Sequence, residues 1–541
     1  MIIPGCKEEH QHMRGSLSLP LLPDFEPRLE ALSRCLVLAA IIVAFALRIY
    51  RLDYQSLWED EIHSVLRGNM SLADMLQDVL QTQNHVPLYF AMMHYWQQFT
   101  GDREFAVRFF SLFWGVLSVA AIFRLGMTFG RRSAGLIGAL LLAISPFHVW
   151  YSQEARMYTM VTFFVLGANY FFVKVLRGDS LREWFGYAVC TLLAIYTHYF
   201  ACLIPLSHFL FLFLNRRALK TVLLKWLIWM GAIASAYLPW IVTVILARAH
   251  GAHGPNIGWI APIRWMDPLL TLYVFGLGAT ADPRFTLNYL SALTLLSVLS
   301  LAIFQILRGN KLELEGQMLV HWLLTPLLLI SIISCGVAMQ HHFSLYMDRY
   351  LIIISPAFLI LVAYGLSSLA RWHRGLAMAA SAIMLISITL SLHNLYFSPE
   401  YHREDWRGAS VYLRKQGRPN DVLIVSSDPH FAALVYYPPG EIPCQIVPFS
   451  ALAEASQAYL SQKARSFVSQ DGTNLGRLWV ISALDNMNPH GFPYERNAYI
   501  AKGCPFDRIK AWFDSRYQIL QEKTFNGICL ALYDNERRSD E

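Results

Sequence analysis

Val86-Pro87-Leu88-Tyr89-Phe90-Ala91-Met92-Met93-His94-Tyr95-Trp96-Gln97-Gln98-Phe99 reads at first as a membrane crossing, and whether it crosses decides the fold. About twenty apolar residues are needed to span the hydrocarbon layer. This run is shorter and carries His94 and the Gln97-Gln98 pair. It therefore predicts an amphipathic helix lying at one membrane surface. Because it does not cross, it fixes the parity of every apolar run after it.

Those runs dominate the chain. Hydrophobic residues make up 55% of the 541 and charged ones only 15%, with a mean hydropathy of +0.37, whereas roughly a quarter of a soluble domain is charged. The composition predicts a polytopic α-helical membrane protein. Working outward, a first span is expected near Leu36–Leu47. Others follow at about 105–128, 133–150, 156–175, 184–200, 201–214, 222–246, 285–307, 317–338, 350–370 and 375–394, about eleven in all. With 86–99 kept outside, five basic clusters face the cytoplasm: Arg131-Arg132; Lys174, Arg177 and Arg182; Arg216-Arg217, Lys220 and Lys225; Arg308 and Lys311; Arg371 and Arg374. This is the positive-inside bias. It also accounts for the net charge of +6 as a topology signal, so no nucleic-acid partner is expected.

Three regions follow. Residues 1–33, with Pro20, Pro23 and Pro27 and no apolar period, predict a disordered cytoplasmic tail. Residues 34–395 form the membrane domain, with 53–104 as its first outer loop. Residues 396–541 predict an extracytoplasmic α/β domain: a helix over Glu404–Gln416, strands over Asp421–Ser426 and Leu478–Ile481, a helix over Phe506–Tyr517 and a last strand over Ile528–Tyr533. Cys35, Cys190, Cys202 and Cys335 fall in or beside spans, where a thiol serves as a small apolar group. Cys444, Cys504 and Cys529 lie in the outer domain, so a disulfide among them is admissible, its pairing open.

The first outer loop opens with Ser56-Leu57-Trp58-Glu59-Asp60-Glu61-Ile62-His63. Carboxylates on the wet side of a membrane, flanked by apolar segments, mark a reaction centre. The same face receives Asn84-His85-Val86-Pro87-Leu88-Tyr89, then Ser145-Pro146 with Tyr151-Ser152-Gln153-Glu154-Ala155-Arg156-Met157-Tyr158, the Tyr196–Tyr199 turn with His198, and Tyr346-Met347-Asp348-Arg349-Tyr350.

In this order the motifs resemble the GT-C glycosyltransferases related to protein O-mannosyltransferases and bacterial lipid A aminoarabinose transferases. The resemblance covers most of residues 40–370 and is strongest over 50–160. It implies a sugar donor carried on a polyprenyl phosphate, an extracytoplasmic acceptor, Asp60 as general base and Glu61 as its acidic neighbour. Arg156 and Arg349 suit the leaving phosphate, because a guanidinium offers forked donors. His85, Glu154, Tyr158, His198 and Tyr346 are expected to line the substrate. The leaving group is already a phosphate, and no G-x-x-x-x-G-K nucleotide motif is present. The expected location is the cytoplasmic (inner) membrane, with membrane lipids as neighbours.

Each role has a plainer competitor. Asp60 and Glu61 could be solvated acids, Arg349 a snorkelling anchor, Arg156 the partner of Glu154, and His85 and His198 packing residues. His63, His85, Glu154 and His198 all reach the outer face, so a divalent metal is admissible. Yet no H-x-x-x-H spacing supports one, and none is assigned. The aminoarabinose transferases carry acid–Lys–Pro-Pro where this chain has Asn84-His85-Val86-Pro87, so no metal site carries over. Two other classes stay open: a polytopic transporter, and a membrane-anchored binding or sensor protein working through its C-terminal domain.

Overall fold

A computed structural model describes residues 25–541 apart from 130–131, 179, 256, 259, 309–313, 419–420, 426–427, 441, 443, 447–476, 484–509, 511–512 and 538–541. Residues 1–24 of the expected tail, Arg131, Lys311 and Cys504 therefore lie outside the described residues. The chain enters on α1 (Phe25–Ile49), which begins within the segment expected to be disordered. Three short helices follow, α2 (Glu59–Asn69), α3 (Leu72–Thr82) and α4 (Leu88–Thr100). At 1.5 Å per residue the thirteen residues of α4 reach about 20 Å, short of the ~30 Å hydrocarbon layer. Instead α4 buries Tyr89, Phe90 and Met93.

Next come α5 (Glu104–Thr128), α6 (Arg132–Ile144), α7 (Pro146–Ser152), α8 (Tyr158–Arg177), α9 (Leu181–Thr197), a 3-10 turn and α10 (Leu203–Leu214). They continue into α11 (Arg216–Ala249), α12 (Asp267–Leu277), α13 (Thr286–Arg308), α14 (Leu314–His341), α15 (Ser355–Trp372) and α16 (Arg374–Phe397). Among the described residues eight helices are long and apolar enough to cross a membrane, or nine if the bent pair α6 and α7 counts as one span. The remaining expected pair corresponds to α9 and α10, which fall below that length. Exposed Leu38, Ile42, Ile228, Ile245, Ile332 and Leu385 form the outer apolar surface that lipid would cover.

The expected continuous helix over 133–150 is broken instead, by 57° at Ser145-Pro146. Pro146 has no N–H to continue α6 and sits at the start of α7, where Ser145 accepts a hydrogen bond from the His148 N–H at 3.3 Å. The carbonyls left open at the end of α6 are met by the buried Arg48 of α1. It donates to Leu142 and Ala143 at 3.0 and 2.8 Å, and to Ser152 Oγ at 3.0 Å. The break aims the chain from 146 to 158 at the first turn of α2.

The tail folds as α17 (Trp406–Gln416), β1 (Val422–Val425), α18 (Asp428–Tyr436), β2 (Cys444–Ile446), β3 (Leu478–Ala483), β4 (Tyr517–Phe525) and β5 (Ile528–Arg537). The sheet order is β2-β1-β3-β5-β4, with β1 parallel to both neighbours and β5 antiparallel to both of its own. Tyr517, expected to end a helix, begins β4. One apolar core runs from the membrane helices into the tail, joining Leu57 and Ile62 to Trp406, Leu423 and Leu530.

Candidate active site

The expected acidic loop is the first turn of a helix. Glu59, Asp60 and Glu61 open α2, where carboxylates meet the positive end of the helix dipole. Neighbours on a helix point about 100° apart, so Asp60 and Glu61 cannot share a task. Glu61 turns inward and is fully buried. Arg108 of α5 grips it with two bonds, Nε to Oε1 at 2.8 Å and Nη2 to Oε2 at 2.7 Å, and the Ala155 N–H adds a third at 2.8 Å. Arg108 also donates to the carbonyls of Leu52, Gln55 and Ser56. Burial opposes the Glu61 charge, but Arg108 outweighs it and holds the carboxyl below the usual glutamate range. Glu61 thus locks the turn in place.

Asp60 turns the other way, its side chain 27% exposed. Its Oδ2 stands 3.4 Å from Arg349 Nη1 and 3.8 Å from Arg156 Nη2. Burial again opposes the charge, and the two guanidiniums prevail, so the carboxyl titrates below the ordinary aspartate value. Arg156 is itself oriented by three neighbours. It donates to the Asp60 carbonyl and to Ser64 Oγ, both at 3.1 Å, and to His85 Nε2 at 3.2 Å. Burial and the adjacent Arg156 push the His85 pKa well below the histidine norm, so His85 meets the arginine as a neutral acceptor.

Glu154 does not pair with Arg156. It is bound by Trp150 Nε1 at 2.6 Å and by Arg403, which arrives from the tail. Arg403 also lies over the rings of Trp58 and Trp150, at 4.7 and 5.1 Å. Burial pushes the Glu154 carboxyl above its ordinary value, with Arg403 opposing most strongly. Its Oε2, like Arg156 Nε and Trp58 Nε1, is buried without a hydrogen-bond partner among the described residues.

Other expected residues stand further back. The Tyr158 ring packs on Tyr151 at 4.9 Å and His198 at 6.1 Å. His198 uses Nδ1 to accept the Phe200 N–H, capping the 3-10 turn. The Tyr346 hydroxyl meets Thr271 of α12 at 2.7 Å, and Thr271 in turn bonds Asp348. Among the described residues no three His, Cys, Asp or Glu side chains gather as a metal site.

The family model described as dolichyl-phosphate-mannose-protein mannosyltransferase matches residues 84–242. No curated protein matches the sequence. ArnT from Cupriavidus metallidurans in the apo state superposes with a TM-score of 0.57 at 11% identity, over 93% of this chain and 98% of that one. The same protein bound to undecaprenyl phosphate gives 0.56 at 11% identity, over 92% and 97%. The Archaeoglobus fulgidus oligosaccharyltransferase in the apo form gives 0.53 at 12% identity, over 83% and 69%. At these identities the likeness is one of fold: the chain is similar in architecture to ArnT over nearly the whole length of both chains.

Of the residues expected from the sequence, the structure brings Asp60, Arg156, Arg349 and His85 to one place, beside two arginines that the sequence reading missed, Arg108 and Arg403. Arg108 carried a signal, a cation inside the apolar run of α5, where charge needs a partner. Arg403 carried none, because its partner Glu154 is distant in sequence and only the seating of the tail joins them.

Proposed function

We propose that the chain is a membrane glycosyltransferase that moves a sugar from a polyprenyl-phosphate donor to an extracytoplasmic acceptor. The observation that carries this reading is the partly buried Asp60 carboxylate facing two arginines, Arg156 and Arg349. The reaction needs a group that takes the acceptor's proton and cations that receive the departing phosphate. Asp60 takes the proton as the acceptor oxygen or nitrogen bonds to the anomeric carbon. The bond from that carbon to the phosphate oxygen breaks, and polyprenyl phosphate leaves with the electron pair, its new charge met by Arg156 and Arg349. Further support comes from the solved ArnT structure that holds undecaprenyl phosphate within a similar fold.

The orientation follows from charge. If the basic clusters face the cytoplasm, α2, the Arg156 turn and the tail lie outside the cytoplasmic membrane. Cys529 is disulfide-bonded, which suits an oxidising compartment. The test is mass spectrometry of envelope lipids and glycans from cells with and without the gene, paired with transfer from a synthetic short-chain polyprenyl-phosphate sugar in membranes. A glycosyl decoration lost with the gene supports the proposal. An unchanged envelope and an inert membrane fraction would refute it.

A further inference from the structure

We propose that Arg403 is a positioning residue of the reaction centre: through Glu154 and Trp58 it holds the Asp60 turn in its working geometry, so that seating of the tail is a condition of transfer. This rests on the glycosyltransferase reading for its activity readout but not for its geometry.

Between α16 and α17 the chain passes through a strap, Ser398 to Asp405, that is pinned on both sides. On the membrane side the Arg403 N–H donates to Gln55 Oε1 at 2.9 Å, and Ser56 Oγ donates to the Glu404 carbonyl at 2.6 Å. On the sheet side Asn526, in the turn between β4 and β5, donates to the carbonyls of His402 and Arg403, both at 2.8 Å. The Asn526 carbonyl receives the Asp405 N–H at 2.9 Å. Two further tail residues grip the same stretch: Arg407 donates to the carbonyls of Asp53 and Tyr54, and the Tyr437 hydroxyl accepts the Leu57 N–H at 2.8 Å. Residues 53–57 lead directly into Trp58 and Asp60. The tail therefore fixes the backbone that delivers the base.

The Arg403 side chain reaches from this strap to the centre itself. Its guanidinium side chain is 13% exposed, bound to a Glu154 that is 2% exposed and laid over Trp58, two residues from Asp60. An exposed bridge in such a place would contribute little. A buried one is different, because removing the cation strands the carboxylate. The charged groups facing Glu154 are Arg403, Arg349 and Glu61, the last already held by Arg108. Burial favours the neutral acid, and Arg403 is the strongest charge opposing it. Without Arg403 the strap loses its bridge to Glu154, burial carries the Glu154 carboxyl further toward the neutral acid, and Trp58 loses its cation.

The test uses the full-length protein in lipid nanodiscs with Arg403→Gln, which keeps a planar polar group, Arg403→Lys, which keeps the charge, and Arg403→Gln combined with Glu154→Gln. Infrared difference spectra between acid and alkaline pH should show a protonated-carboxyl band that titrates at higher pH in Arg403→Gln than in wild type. The upward shift should be missing from the double variant, which has no carboxyl at 154. Transfer should fall roughly 10²-fold in Arg403→Gln, the scale of a small misplacement at a reaction centre. Arg403→Lys should regain most of it. Binding of a short-chain polyprenyl phosphate should stay within a few-fold of wild type, which separates this effect from misfolding. Wild-type transfer by Arg403→Gln, or a loss with no upward shift of the carboxyl band and no rescue by Arg403→Lys, would overturn the inference. If wild type neither binds the phosphate nor transfers, the glycosyltransferase reading falls, and the infrared band alone decides the Arg403–Glu154 relation.

Discussion

Asp60 Oδ2 lies 3.4 Å from Arg349 Nη1, so the proposed base and a proposed phosphate ligand neutralise one another before any substrate is present. The contact is too long for a strong hydrogen bond, and the Arg156 contact is longer still at 3.8 Å. Such loose pairs are readily exchanged. A donor phosphate entering between the arginines competes with Asp60, and the carboxylate it displaces becomes a better base as its cations are drawn away.

This competition predicts that Asp60→Asn binds short-chain polyprenyl phosphate more tightly than wild type. A gain of roughly five- to thirtyfold is expected, the scale of a moderate coupling between two ligands of one site. Isothermal titration at fixed ionic strength measures it. Equal or weaker binding would mean that Asp60 does not occupy the phosphate's place.

Arg349→Ala should weaken donor use severely, and Arg349→Lys should restore only part of it, because an ammonium lacks the paired donors of a guanidinium. The readout is the concentration dependence of transfer from a synthetic donor. Unchanged turnover in Arg349→Ala would reduce the residue to a helix anchor over Trp58 and Tyr350.

Glu61→Gln should act on stability. It leaves buried Arg108 its bonds to the carbonyls of Leu52, Gln55 and Ser56 but no opposing charge, a change that costs about 3–5 kcal/mol in comparable buried pairs. The Glu61 carboxyl is depressed in the fold, so its contribution is full above the unfolded glutamate pKa of about 4.3 and is lost as pH falls through the lower folded value. Thermal unfolding in detergent should show wild type losing stability in that acidic window and Glu61→Gln lacking this step. Equal melting at neutral pH would contradict the lock.

Topology is tested by reporter fusions. An oxidising-compartment reporter placed at Pro399 should be active and one at Arg217 inactive, and Cys529 should resist alkylation until reduced. The reverse pattern would put the reaction centre on the wrong side for the proposed acceptor.

What the sequence disclosed and what it withheld follow from the range of the forces involved. Residues 86–99 were legible because length and polarity are local properties, and α4 is a short helix with a buried apolar stripe. The Ser145-Pro146 break was visible as a dipeptide but not as a bend, since the bend depends on Arg48 reaching across from α1. The contrast between Asp60 and Glu61 was hidden for the same reason: adjacent acids look alike until Arg108 claims one of them. In the tail, β1 and β3 showed as apolar runs, whereas β4 did not, because nearly all its residues are exposed and its composition is that of a polar edge. Helix α12 was missed inside a long loop, although it supplies the Thr271 hydroxyl that holds Tyr346 and Asp348.

The central claim is that Asp60 removes the acceptor's proton, and a single-turnover assay of Asp60→Asn tests it most directly. The asparagine keeps the size and much of the hydrogen bonding of the aspartate but cannot accept the proton. With donor binding followed separately, the account predicts that the variant binds polyprenyl-phosphate sugar at least as well as wild type while the chemical step falls by roughly 10²–10⁴-fold. Transfer by Asp60→Asn at the wild-type rate would contradict it.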